Sequence, residues 1–226
     1  MKMKNWKMVW TLEGCLSHRG QFSKVFSRND KQDERGRRMK IQHVRVPYSL
    51  IELDISNQSK YVYIAIMRAR SGHSKRIKIS MNKIVENAGL NERMVRQHIS
   101  KLCRYNMLSR KQINYGVGLY GCNTYTIECD ERKFAEIPLC IAYEKQLKAS
   151  SLIAYCIMKK YTDIREKNYT CYLSQEELAK YLKCSLNHVN KIKRDLKNTG
   201  LITYEYNSKK IVLTYEQQMN SNIENL

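Results

Sequence analysis

The chain has 226 residues and carries 41 Lys and Arg against 21 Asp and Glu, a formal net charge of +20. That length exceeds one small domain and suits two. The charge, spread as +8 over residues 1–45, +7 over 46–130 and +5 over 131–226, attracts polyanions, of which double-stranded nucleic acid is the densest in a cell. The longest apolar runs, residues 61–67 and 152–158, are too short to cross a bilayer, and the stretch 8–12 is too short for a secretory signal. The eight cysteines are therefore read as reduced thiols of a cytoplasmic protein rather than as a disulfide framework.

Residues 1–45 open with an apolar-aromatic patch, Trp6, Met8, Val9, Trp10 and Leu12, and turn polar and basic through 28–40. No period there could bury a face, which predicts a basic N-terminal extension whose Arg35, Arg37 and Arg38 can follow phosphates. Pro47 then fixes an extended entry, residues 48–53 suit a short helix, and Ser59 is the expected N-cap of a helix through Tyr63, Ile66 and Met67. Alternation in Arg76–Ile79 predicts a strand. Ser80 caps the next helix, with Ile84 and Val85 inward, and Gly89 supplies a left-handed turn.

From Asn91 a second helix follows. At about 100° per residue, Val95, Ile99 and Leu102 share one stripe, while Arg93, Gln97, Ser100 and Arg104 fall opposite it, flanked by Arg96 and Lys101. A face that had only to be soluble would mix acids and bases. This one is rich in donors, and Arg and Gln are side chains that bond guanine and adenine edges bidentately in a major groove. Residues 108–114 and 122–128 read as paired strands joined through Gly116, Gly118 and Gly121, with Arg110 and Lys111 beside them as phosphate contacts.

After a charged connector at 130–136 the plan recurs. An offset of 91 carries Pro47 onto Pro138 and Ile66 onto Ile157; an offset of 94 carries Ser80 onto Ser174, Val95 onto Val189 and Leu102 onto Leu196. Self-similarity at this period means two homologous domains, at 46–130 and 131–216, followed by a flexible tail at 217–226. In the second copy Ser150 or Ser151 is the expected helix cap, residues 169–173 the short strand, and Ser174 with Glu177 a capping box. Val189, Ile192 and Leu196 form the buried stripe. Asn187, Lys191, Arg194 and Asn198 are left outward, with Asn190 and His188 as further DNA contacts. Lys209 and Lys210 accompany the turn between residues 202–206 and 211–215.

Enzyme signatures are weak or absent. The stretch Gly72, His73, Ser74, Lys75 lacks the first glycine and the lysine position of a phosphate loop, and His18, His43, His73, His98 and His188 have no metal or general-base spacing. No C-x-x-C occurs. We expect no catalytic residue, no metal and no cofactor. The fold class expected is mainly α with small β: two tandem winged-helix domains, each a helix-turn-helix followed by a β-wing.

The openings VPYSLIE and IPLCIAYE, each followed by a capped helix and then S-x(3)-[IL] with V-x(6)-L-x(5)-[LI], carry a resemblance. Over residues 46–215 the chain resembles the winged-helix units of replication initiators and replisome-organising proteins on plasmids and phages of low-GC bacteria. Transcription regulators use the same units. The resemblance implies that each reader helix enters a major groove, through Arg93, Arg96, Gln97, Asn187, Lys191 and Arg194. The expected function is non-enzymatic, sequence-specific binding of double-stranded DNA at two half-sites, as a transcription regulator at the bacterial nucleoid. A plasmid or phage replication initiator binding origin repeats is the alternative, and a protein-interaction module the third reading. A homodimer stays open, and no membrane partner is expected.

Overall fold

The computed structural model describes residues 43–72, 74–114, 120–142, 147–162, 168–204 and 210–217. The N-terminal extension up to residue 42, the glycines Gly116 and Gly118, Lys209 and the tail from 218 lie outside the described residues. The strand β1 (His43–Pro47) leads into α1 (Tyr48–Glu52), α2 (Asn57–Met67), β2 (Arg76–Ile79), α3 (Met81–Ala88), α4 (Glu92–Arg104), β3 (Leu108–Asn114) and β4 (Tyr120–Ile127). The same order returns in β5 (Phe134–Pro138), α5 (Leu139–Ala142), α6 (Ala149–Lys160), β6 (Thr170–Cys171), α7 (Gln175–Leu182), α8 (Leu186–Asn198), β7 (Thr203–Tyr204) and β8 (Ile211–Val212). Sheet order is repeated too, β2-β4-β3 in one copy and β6-β8-β7 in the other, all antiparallel. The chain is thus mainly helical with small β-sheets.

Each copy is built on a helix with almost no polar side. In α2, Val62, Tyr63, Ile64, Ala65 and Ile66 are fully buried, and in α6 every residue from Leu152 to Met158 is. A helix that is apolar all round belongs in a core. These two pack on each other as well as on the helices of their own copies, which accounts for the two apolar runs in the sequence.

Strands β1 and β5 join the copies in an antiparallel pair whose register is His43↔Pro138, Arg45↔Glu136 and Pro47↔Phe134. Under the offset of 91, Pro47 is the counterpart of Pro138, His43 of Phe134 and Arg45 of Glu136. Each strand therefore meets its own counterpart as two subunits meet across a twofold axis. At the centre Arg45 Nε donates to Glu136 Oε1 at 3.3 Å, and the guanidinium lies 4.5 Å from the Phe134 ring centroid. Away from this pair the copies touch through Lys160 Nζ to Glu52 Oε1 at 2.5 Å, Asn57 Nδ2 to the Leu182 carbonyl at 2.9 Å, and a Lys183–Asp54 ion pair. The described residues, from 43 to 217, belong to one compact unit.

Several local expectations are corrected. Ser56, not Ser59, caps α2: it is the last extended residue (ψ 149°), and its Oγ accepts the Ser59 amide at 3.3 Å. In the second copy α6 follows Lys148, which makes no side-chain cap, while Ser151 is buried with its Oγ 3.4 Å from Asp195 Oδ2. The polar atoms of Ser59 and Ser151 thus serve contacts inside the fold. β1 begins at His43, ahead of Val46, because His43 and Arg45 find backbone partners on β5, and the connector is shortened from the other side because Phe134 already belongs to that strand. The second strand pair is also shorter than its sequence suggests. β8 ends at Val212, and residues 214–217 form a helical turn closed by the Gln217 amide on the Leu213 carbonyl at 3.2 Å.

Candidate nucleic-acid interface

In the first copy α3 starts at its Ser80 cap, whose Oγ accepts the Lys83 amide at 3.2 Å, and stops at Gly89 in the left-handed region (φ 62°). That turn aims the chain into α4, where Asn91 Oδ1 accepts the Met94 amide at 2.9 Å. Val95, His98, Ile99 and Leu102 form the buried face of α4. His98 is buried on this face, and its Nδ1 lies 2.8 Å from Ser59 Oγ. This contact ties α4 to the central helix α2. Burial, and then the nearby Lys101 charge, lower the imidazole pKa, which favours the neutral ring.

The other side of α4 is open. Arg93, Arg96, Gln97, Ser100, Lys101 and Arg104 are all exposed. The one acid in the first turn, Glu92, accepts from Arg96 Nε at 2.8 Å. Arg110 and Lys111 are exposed on β3, opposite Tyr125 and Thr124 of β4. Between α4 and β3 runs a groove of about 860 Å³ whose rim includes Arg96, Ser100, Cys103, Ser109, Arg110 and Glu128. One continuous surface therefore combines a helix face and a strand, both supplied with donors.

The second copy is built to the same plan with a stronger start. Ser174 and Glu177 complete the capping box, the serine Oγ accepting the Glu177 amide at 3.1 Å and the carboxylate accepting the Ser174 amide at 2.8 Å. Lys183 stands at the position of Gly89 and holds the same left-handed turn (φ 52°). Ser185 caps α8, with its Oγ accepting the His188 amide at 3.4 Å. Asn187, Asn190, Lys191, Arg194 and Asn198 are exposed, His188 is half-buried, and Lys210 is exposed just before β8.

The inner side of α8 departs from its sister. Lys193, in the place of Ile99, is buried with its amine 4.3 Å from the Tyr204 ring centroid, and burial lowers its pKa. Lys197 lies 4.8 Å from the same ring and donates to the Tyr204 carbonyl at 3.5 Å. Tyr204 is the counterpart of Arg110, so an aromatic ring with two lysines on it occupies the place where the first copy keeps an arginine beside its groove. Sequence spacing alone hid this arrangement, because Lys193 falls where a simple stripe would put an apolar residue. Leu186, 44 % exposed at the first position of α8, was also passed over. Its signal was available: it is an apolar residue off the buried stripe at the start of α8.

Among the described residues no group of three or more His, Cys, Asp or Glu is placed to hold a metal, and no helix is long and apolar enough to cross a membrane. The second copy carries a helix-turn-helix domain: residues 145–202, spanning α6 through α8, match the family model described as "Helix-turn-helix domain". The match supports a helix-turn-helix DNA-binding protein. No curated protein matches the chain.

Proposed function

We propose that this chain is a non-enzymatic, sequence-specific double-stranded DNA-binding protein made of two winged-helix domains, each reading one half-site with α4 or α8, and that it acts as a transcription regulator. The observation that carries the reading is the pair of outward helix faces, Arg93 to Arg104 and Asn187 to Asn198, both donor-rich and both free of the protein's own core. Arg110 and Lys111 follow the first of these faces as backbone contacts, and Lys210 follows the second.

The twofold register of β1 and β5 supports a further point about orientation. Copies related by such an axis present their reader helices in inverted sense, as the subunits of a dimeric helix-turn-helix protein do. One chain then supplies both halves of the reader and binds an inverted pair of half-sites as a monomer, with centres about 10 base pairs or a multiple apart. The resemblance to plasmid and phage initiators favours a second reading of the process, origin binding.

Mapping the bound sites decides between the two processes. Sites in promoters support regulation, and several copies of the whole inverted site repeated in one direction beside an A·T-rich segment support initiation. A chain that binds duplex DNA with no site preference would overturn both.

A further inference from the structure

We infer that the first turn of α2 is a bracket that sets the distance and angle between the two reader helices, with Asn57 and Ser59 as its positioning residues. This rests on the DNA-reading proposal above and adds to it what fixes the spacing of the half-sites. Ser59 Oγ lies 2.8 Å from Nδ1 of His98, on the buried face of α4. Two residues earlier, Asn57 Nδ2 donates to the Leu182 carbonyl at 2.9 Å. Leu182 is the last residue of α7, next to the left-handed Lys183 that turns the chain toward α8. One helical turn thus touches one reader helix directly and the corner that aims the other.

The last carbonyls of a helix have no partner within it. In α7 the Ala179 and Lys180 carbonyls accept the Cys184 and Lys183 amides of the corner itself, and Leu182 takes its donor from the other copy. The bracket is itself held firm. Ser56 Oγ accepts the Ser59 amide at 3.3 Å and lies 3.0 Å from Ser59 Oγ, and beyond this turn α2 is fully buried from Val62 to Ile66, packed on α3, α4 and α6. A close-packed helix of this kind cannot slide without opening voids. α7 is held a second time from the same side: Lys160 Nζ donates to Glu52 Oε1 of α1 at 2.5 Å, and the amine lies 5.9 Å from the Tyr48 ring centroid of α1 and 5.7 Å from that of Tyr181 on α7.

On duplex DNA, one added base pair moves the second half-site by about 3.4 Å along the axis and turns it by roughly 35° about it. A reader held by a rigid bracket cannot follow that displacement and loses base contacts, each worth about ten-fold or more in affinity. A reader freed from the bracket can follow it. The contacts of Asn57 and Ser59 therefore act on the spacing that the chain accepts, and the bases within each half-site are read elsewhere, on the outward faces of α4 and α8.

The test uses a duplex selected from a random library by the full wild-type chain, then remade with the spacer one base pair longer or shorter, and a duplex carrying one half-site alone. Asn57→Asp keeps the size of the side chain, suits a helix start where the dipole favours an acid, and removes the donor that faces Leu182. Ser59→Ala removes the other contact, and Asn57→Ala replaces the Asp variant if that does not fold. Wild type should lose about ten-fold in affinity when the spacer changes by one base pair, and the variants no more than about two-fold, with affinity for the single half-site unchanged in all. A full ten-fold penalty kept by a variant would overturn the role of that residue. Affinity lost equally at every spacing and at the single half-site, or a wild type indifferent to spacing, would overturn the bracket and leave the DNA-reading proposal standing. Failure of wild type to select any duplex would overturn both.

Discussion

Lys60 lies in the central helix α2 and is only 2 % exposed, its amine donating to the Ile51 carbonyl at 2.6 Å. Burial brings its pKa down from 10.5 to about 8, with Cys156 of α6 pulling the other way. Between pH 8 and 10.5 the unfolded chain holds a proton there that the folded chain has released, so stability rises with pH across that window. Below pH 8 both states are protonated and the full cost of the buried cation is present. Wild type should therefore gain on the order of 3 kcal/mol relative to Lys60→Met as pH increases from 8 to 10.5, measured as the difference between their urea-unfolding free energies. Parallel curves would mean that the amine is hydrated in solution.

Among the elements, the two helix-turn-helix corners form a natural comparison. Gly89 and Lys183 hold the same left-handed turn, at φ 62° and 52°, and a Cβ at Gly89 would meet nothing within 4 Å. Gly89→Ala should accordingly cost about 1 kcal/mol through backbone conformation alone. Lys183→Gly should be neutral or stabilising by a similar amount, since the exposed Lys183–Asp54 pair it removes contributes little. Chemical denaturation of both variants checks the pair. A large loss from Lys183→Gly would show that the ion pair, rather than the turn, matters there.

These corners were legible in the sequence because caps, turns and buried stripes are local: Ser80, Gly89, Ser174 with Glu177, and Val95 with Leu102 all stand where their spacing put them. Ser59, Ser151 and Lys193 were not legible in the same way. A serine near a helix start reads as a cap, and only the tertiary partners, His98 for Ser59 and Asp195 for Ser151, show it spent elsewhere. Burial of Lys193 depends on Tyr204, a residue on another element whose ring accepts the amine. The outward residues of α4 and α8 were found from helical period alone, since a face opposite a continuous apolar stripe must be open.

For the molecule as a whole, the β1–β5 register makes one chain resemble a dimer folded into itself, and the different outward residues of α4 and α8 then make its two halves unequal. On the proposed function, such a chain suits a duplex site with inverted architecture and asymmetric sequence. The most direct test is a footprint on a selected duplex, comparing wild type with an Arg93→Ala, Gln97→Ala double variant. Wild type is expected to protect two half-sites with one chain per duplex. The variant is expected to lose base preference in one half only, with about 1 to 3 kcal/mol lost for each bidentate contact removed. An unchanged site preference in the variant would remove α4 from the reading surface and contradict the proposed mode of binding.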